Sequence, residues 1–324
     1  MTAAFDVPVT RTLARVIASV PASDGAGVRL RRSIGAQPSH RLDPFLMLDE
    51  FSSEDAADYL AGFPSHPHRG FETVTYMLDG HLLHEDHLGN RGDLLPGAVQ
   101  WMTAGRGIIH SEMPQQQSGR MRGFQLWLNL PARLKMQPAW YRDIAPVELP
   151  VLALPGGGQL KVIAGTAPIP EAAGAVAPGA VMPGGSRAAF TTPPGEPDST
   201  LIRGPIGGPR WQDSTDPIYW DLILEPHGCL VQPLPAGHQA FVYLYEGQAW
   251  IGPADDRSAL PAHAAGVLSE GTQLRIEAGG QGLRALVLAA RPLKEPVAQY
   301  GPFVMNTHEE LEQAVADFRS GRLT

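Results

Sequence analysis

Two short patterns concentrate the residues of this chain that could do chemistry: Ser65-His66-Pro67-His68 and, further on, His110-Ser111-Glu112. In an extended segment, side chains two apart leave the same face. Pro67 favours extended geometry at its own position and at His66 before it. His66 and His68 therefore project side by side, as two ligands of one ion should. His110 and Glu112 repeat the spacing, and antiparallel folding would let the two pairs face each other across a barrel. Three imidazoles and one carboxylate suit Fe(II), Mn, Ni, Cu, Zn or Co better than Mg or Ca, which prefer oxygen ligands. Four protein ligands leave an octahedral ion two open positions. With eleven histidines in the chain, a solvated strand is the plain alternative for one His-X-His pair. The second pair, arriving after a glycine-rich turn, weighs against it. Gly105 and Gly107 are read as the glycines of that turn, because no Lys-Ser/Thr follows to make a phosphate cradle.

The elements that must carry these residues read as short strands. FPSHPHRG (63–70) is too rich in Pro and Gly for a helix. FETVTYML (71–78) has the Thr, Val and Tyr content of a strand, and Asp79-Gly80 signals a turn into HLLHEDH. FQLWLNL (124–130) alternates apolar and other residues with a period of two, the pattern of a half-buried strand. YLYEGQAWI in the second half parallels YMLDGHLLH as a second strand–turn–strand unit, which suggests a duplicated architecture. The last segment reads as a helix: Thr307 and Glu310 form a capping box, and Leu311, Ala314, Val315 and Phe318 recur on one face. It is expected to cover a sheet edge or face.

Composition bounds what such a chain can be. At 324 residues two domains are expected, and 36 Gly with 31 Pro favour short elements joined by turns. The net charge of −8, with no Lys/Arg stripe, disfavours direct nucleic-acid binding and attraction to an anionic membrane. Cys229 is the single cysteine, so an internal disulfide and a thiolate cluster are both excluded. The first residues, broken by Asp6, Arg11 and Arg15, are not read as a signal peptide, no segment approaches about 18 uncharged apolar residues, and the compartment expected is the cytoplasm.

SHPHRGFETVTYMLDG followed by GDLLPGAVQWMTAGRGIIHSE resembles the pirin family of the cupins, as do DPFLMLDEF and EPVAQYGPFVMNT. The resemblance implies an all-β bicupin: two double-stranded β-helix (jelly-roll) barrels with a short C-terminal helix. The expected division is a metal-binding domain over 1–165, a linker or insertion over 166–215, and a metal-free domain over 216–324 that includes the helix. It also implies His66, His68, His110 and Glu112 as ligands of one divalent transition metal, Fe(II) first among the candidates. Glu72 completes a general cupin pattern with His66 and His68, but the pirin pattern gives it a supporting place, and strand parity does not separate the two. His227, His238 and His263 of the second half form no His-X-His or His-X-Glu pair, so no second metal site is expected. The stretch 174–213 is extra relative to shorter pirins, and GPIGGPRW within it reads as a tether or as a flap over the metal cavity.

Two activities follow from the resemblance. One is a quercetin 2,3-dioxygenase-like enzyme taking a small aromatic substrate and O2, with Glu112 as the catalytic base. The other is a redox-sensitive module that binds a protein partner without turnover. Phe71, Trp101, Phe124 and Trp127 either line the substrate cavity or are plain core, and core is the commoner fate of strand-borne aromatics.

Overall fold

The computed structural model describes residues 7–169 and 200–324. Contacts divide the chain into two compact units, each made of two separate stretches of sequence. One comprises Met1–Ile17 and Val147–Ala290, the other Ala18–Pro146 and Arg291–Thr324. Both are built of antiparallel sheets, as expected of a bicupin. Among the described residues no helix is long and apolar enough to cross a membrane.

These units redraw the boundaries expected at 165 and 216. The strands Val151–Ala153 and Gly158–Ala164 extend the sheet of the unit that holds Val147–Ala290, where Gly158–Ala164 pairs along Ile218–Leu224. Leu152, Leu160 and Val162 are buried in that unit's core. In the other direction, the C-terminal helix belongs with the first half of the chain rather than with residues 216–290. Its Leu311 and Ala314 are buried with Phe303, Met305 and Leu323, and Ile109 packs against the same cluster. The physical reason is that an amphipathic stripe says a helix must be covered, not by which unit. The helix itself, His308–Arg319, has the predicted capping box, with Thr307 accepting from the Glu310 amide and Glu310 reaching back.

The unit that carries the candidate ligands has a seven-stranded and a four-stranded sheet. The larger runs Trp140–Ile144, Val99–Thr103, Phe71–Asp79, Met121–Asn129, Phe45–Ser53, Val28–Arg32 and Val20–Asp24 in spatial order. The smaller runs Phe63–His68, Ile108–Pro114, Leu82–Asp86 and Arg91–Leu94. The alternation read in FQLWLNL holds: Phe124, Leu126 and Leu128 are buried while Gln125 and Trp127 are partly exposed. Between the strands Phe63–His68 and Phe71–Asp79 the chain turns at Gly70, with φ of +90°. A Cβ there would lie 1.9 Å from the Val304 carbonyl oxygen, so only glycine fits.

The other unit is built on a nine-stranded sheet whose interior is filled by aliphatic side chains, among them Leu222, Leu244, Ala285 and Val287. YLYEGQAWI is not strand–turn–strand here. It lies within one strand, Gln239–Ile251, whose register shifts around Glu246 and Gly247 as it runs along Gln273–Ala290. Tyr245 is the extra residue of a bulge between Leu244 and Glu246, and Gly247, at φ of +83°, still pairs with Leu283, so the strand kinks without turning back. Within the segment read as an insertion, GPIGGPRW packs into this unit: Ile206 is fully buried and bridges Ala164, and Trp211 is buried on the short helix Pro209–Gln212. It is neither a free tether nor a flap. Residues 174–199 of that segment lie outside the described residues.

Candidate metal centre

His66 and His68 sit at the end of Phe63–His68, and His110 lies directly opposite His66 on the neighbouring strand Ile108–Pro114. The two ligand-bearing segments are thus hydrogen-bonded neighbours in one sheet rather than opposite walls of a barrel. The ring centroids of His66, His68 and His110 stand 4.4–4.9 Å apart. One nitrogen from each can be chosen so that all lie within 4.8 Å of one another, and this is the only such group of three or more His, Cys, Asp or Glu among the described residues.

Local bonds set which nitrogens face inward. His66 Nδ1 lies 2.8 Å from the Pro64 carbonyl oxygen, so it carries the proton and leaves Nε2 as a lone pair. His66 Nε2 and His68 Nε2 are 2.9 Å apart. Two nitrogens bound at right angles to one ion at about 2.1 Å would be separated by about 3 Å, so this edge has the right length. His110 Nε2 is buried without a hydrogen-bond partner, an orphan that an ion would satisfy. Burial, then the neighbouring His66, lowers the pKa of His68 well below its ordinary value. Burial also lowers that of His110, with His68, His66 and His84 adding to it. Both are neutral near pH 7 and ready to donate lone pairs. The donor set fits a borderline transition metal.

Glu112 reaches the site differently. On the side of Leu82–Asp86 the pairing is regular, but on the side of Phe63–His68 the register slips between His110 and Glu112. The Glu112 carboxylate is not among the mutually close donors. Its Oε1 accepts from the Thr75 hydroxyl at 2.7 Å, and Thr75 also lies 2.6 Å from Gln125 Oε1. One hydroxyl proton serves one acceptor at a time, so Glu112 can be let go without stranding Thr75. Glu72 lies elsewhere: the turn at Arg69-Gly70 puts it on a strand of the larger sheet, and Thr103 donates to its Oε1 at 2.7 Å. The parity it shares with His66 and His68 in sequence is broken by that turn.

His84 was not singled out by sequence reasoning. It is fully buried opposite Glu112 on the strand Leu82–Asp86, with its Nδ1 3.2 Å from His110 Nδ1. Only one of these nitrogens can carry the shared proton. With that proton on His110, His110 Nε2 presents its lone pair to the His66–His68 edge. No spacing in the sequence marks His84, or Thr75 and Gln125; the pairing register alone brings them in.

His66, His68 and Glu112 line a cavity of about 730 Å³ whose walls include Phe51, Phe63 and Trp127. Of the four aromatics considered from sequence, Trp127 alone lines it; Phe71, Trp101 and Phe124 are fully buried. Phe71 serves indirectly, packing edge-on against His68.

The pirin profile matches residues 27–128, and that of the pirin C-terminal cupin domain matches 219–324. The chain is 50 % identical over 304 residues to the "Putative quercetin 2,3-dioxygenase" of Pseudomonas aeruginosa, covering 94 % of each. It is 38 % identical over 302 residues to human Pirin, covering 93 % of this chain and 89 % of that one. A solved quercetin 2,3-dioxygenase structure from Acinetobacter baumannii matches with a TM-score of 0.75 at 29 % identity, over 97 % of this chain and 99 % of that one. Agreement at this level along nearly the whole length, with both halves matched, means that the chain belongs to the pirin family.

Proposed function

We propose that this protein is a metal-dependent dioxygenase that opens the oxygen-bearing ring of flavonol-like substrates with O2, in the cytoplasm. The observation that carries the reading is the convergence of three imidazoles, those of His68 and His110 buried and neutral, on the wall of a largely apolar cavity with a carboxylate beside them. The names of relatives across the whole chain point the same way.

His66, His68 and His110 would hold the ion, with Glu112 swinging from Thr75 to complete the set. Fe(II) is the first candidate, since a mixed imidazole–carboxylate site with open positions suits it and the reaction consumes O2. When bound, the ion lowers the pKa of the substrate's hydroxyl and activates the substrate toward O2. The residues do the rest. Glu112 accepts the proton of that hydroxyl, and Thr75 steadies whichever carboxylate position is in use. Trp127 and Phe63 flank the ring system and keep water from it. The ring opens to an ester and carbon monoxide is released.

The test is oxygen-dependent loss of quercetin by Fe(II)-loaded protein, with carbon monoxide measured alongside. Glu112→Gln should lower kcat by about 10²–10⁴-fold, the range of a general base. No difference between aerobic and anaerobic quercetin levels would sink the reading.

A further inference from the structure

A row of polar side chains crosses the larger sheet of the metal-bearing unit at one level. Arg32 pairs with Asp49, Asp49 with Gln125, and Gln125 with Thr75, each directly opposite the next on adjacent antiparallel strands. Directly opposed residues share a face, so all four point the same way. The bonds follow the register. Arg32 grips Asp49 with two hydrogen bonds of 2.7 and 2.6 Å and reaches Asp24 at 2.7 Å. Thr75 joins Gln125 to Glu112. Arg32, Asp49, Gln125 and Glu112 all line the cavity.

On the strands Phe45–Ser53 and Met121–Asn129 the rows on either side carry no polar side chain. Two residues along from Asp49 and Gln125, Met47 faces Trp127 on one side and Phe51 faces Gly123 on the other. The wall is therefore a greasy surface with one polar rail, running from Glu112 beside the metal site to Arg32. From Thr75 to Arg32 it spans three strand spacings, about 14 Å, the length scale of a three-ring molecule. Groups on the rail remain available: Arg32 Nη1 and the Gln125 amide nitrogen have no protein partner among the described residues, and the Asp49 oxygens have spare lone pairs. Burial pushes the Asp49 carboxyl up to about 6, with the Arg32 fork working against that shift.

We infer that this rail determines specificity. It selects flat polyphenols whose distal ring carries hydroxyls, which donate to Asp49 and accept from Arg32 and Gln125, while the apolar rows hold the ring faces. This rests on the dioxygenase reading for the end of the substrate that meets the metal.

The test is anaerobic calorimetric titration of metal-loaded protein with quercetin and with the flavonol whose distal ring is unsubstituted. Quercetin should bind at least about tenfold tighter, which one hydrogen bond to a charged group supplies. Asp49→Asn and Gln125→Leu should each shrink that ratio. Asp49→Asn weakens a buried ion pair and could fail to fold; the wild-type ratio and Gln125→Leu then carry the test. Equal affinities in the wild type, or a ratio unchanged in both variants, overturn the rail. Selective binding without oxygen-dependent loss of quercetin would sink the dioxygenase reading and leave the rail standing. Oxygen-dependent consumption of both flavonols with equal affinity would do the reverse.

Discussion

At the scale of single residues, the site works through groups that touch the ligands rather than through the ligands alone. His84 is the clearest case, because His110 can present Nε2 only if its Nδ1 proton is given to His84. His84→Leu should weaken metal binding by about 10–100-fold, the usual cost of losing a partner that orients a ligand. His84→Asn, whose side-chain oxygen stands near the place of Nδ1, should keep most of it. Competition against a colorimetric chelator reads both, and a Leu variant with unchanged affinity would remove His84 from the site. The lowered pKa values of His68 and His110 give a second prediction. Below the ordinary value of 6.5 the unfolded chain takes up protons at these positions while the folded chain does not. Their contribution is thus intact above that pH and is lost as pH falls below it, by up to about 1.4 kcal/mol per histidine per pH unit. The urea midpoint of metal-free protein should drop between pH 7.5 and 5.5, and less so in His68→Gln. A flat midpoint would contradict the neutral-imidazole picture.

At the scale of elements, the turn that ends the His66–His68 strand is clamped by the C-terminal segment. Lys135 is buried and donates to the carbonyl oxygens of Gly70 and Val304 and to Asn129 Oδ1, at 2.7, 3.0 and 2.6 Å. Arg69 pairs with Asp317 of the terminal helix at 2.8 Å and donates to the Leu323 carbonyl oxygen. Burial lowers the Lys135 pKa to about 8, which still leaves an ammonium at pH 7. Lys135→Met would take this donor from the Gly70 and Val304 carbonyl oxygens, while Asn129 Oδ1 keeps the Leu130 amide, and should cost about 2–3 kcal/mol. Gly70→Ala should also destabilise, because its Cβ collides with the Val304 carbonyl oxygen. Both should lower metal affinity along with stability, since the turn sets where His68 points. Denaturation with and without chelator separates the two effects, and a Gly70→Ala protein of wild-type stability would refute the clamp.

At the scale of the whole molecule, chemistry and packing are divided between units with separate cores. The unit of Val147–Ala290 has an aliphatic interior, and its histidines are dispersed: His227 and His263 occupy turn positions with positive φ, and His238 bonds the Asp216 carbonyl oxygen. One metal per chain is the expected stoichiometry. At a free metal concentration of 100 Kd, the metal-bearing unit should gain about 2.7 kcal/mol, while the other unit's transition stays put. Elemental analysis and a two-transition melt check this, and a shift of both transitions would mean the units do not unfold separately.

The side-by-side placement of His66 and His68 was legible in the sequence because strand geometry gives i and i+2 a common direction, and Pro67 enforces it locally. The strand content, the half-buried pattern of FQLWLNL and the capped terminal helix were legible for the same reason: each depends on near neighbours along the chain. The opposition of His84 to Glu112, the Arg32–Asp49–Gln125–Thr75 row, the separation of Glu72 from the histidines, and the return of the terminal helix to the metal-bearing unit were decided only by tertiary structure. Each depends on which strands pair, in what register, and where a buried face finds its cover, and those long-range choices leave no local periodicity to read.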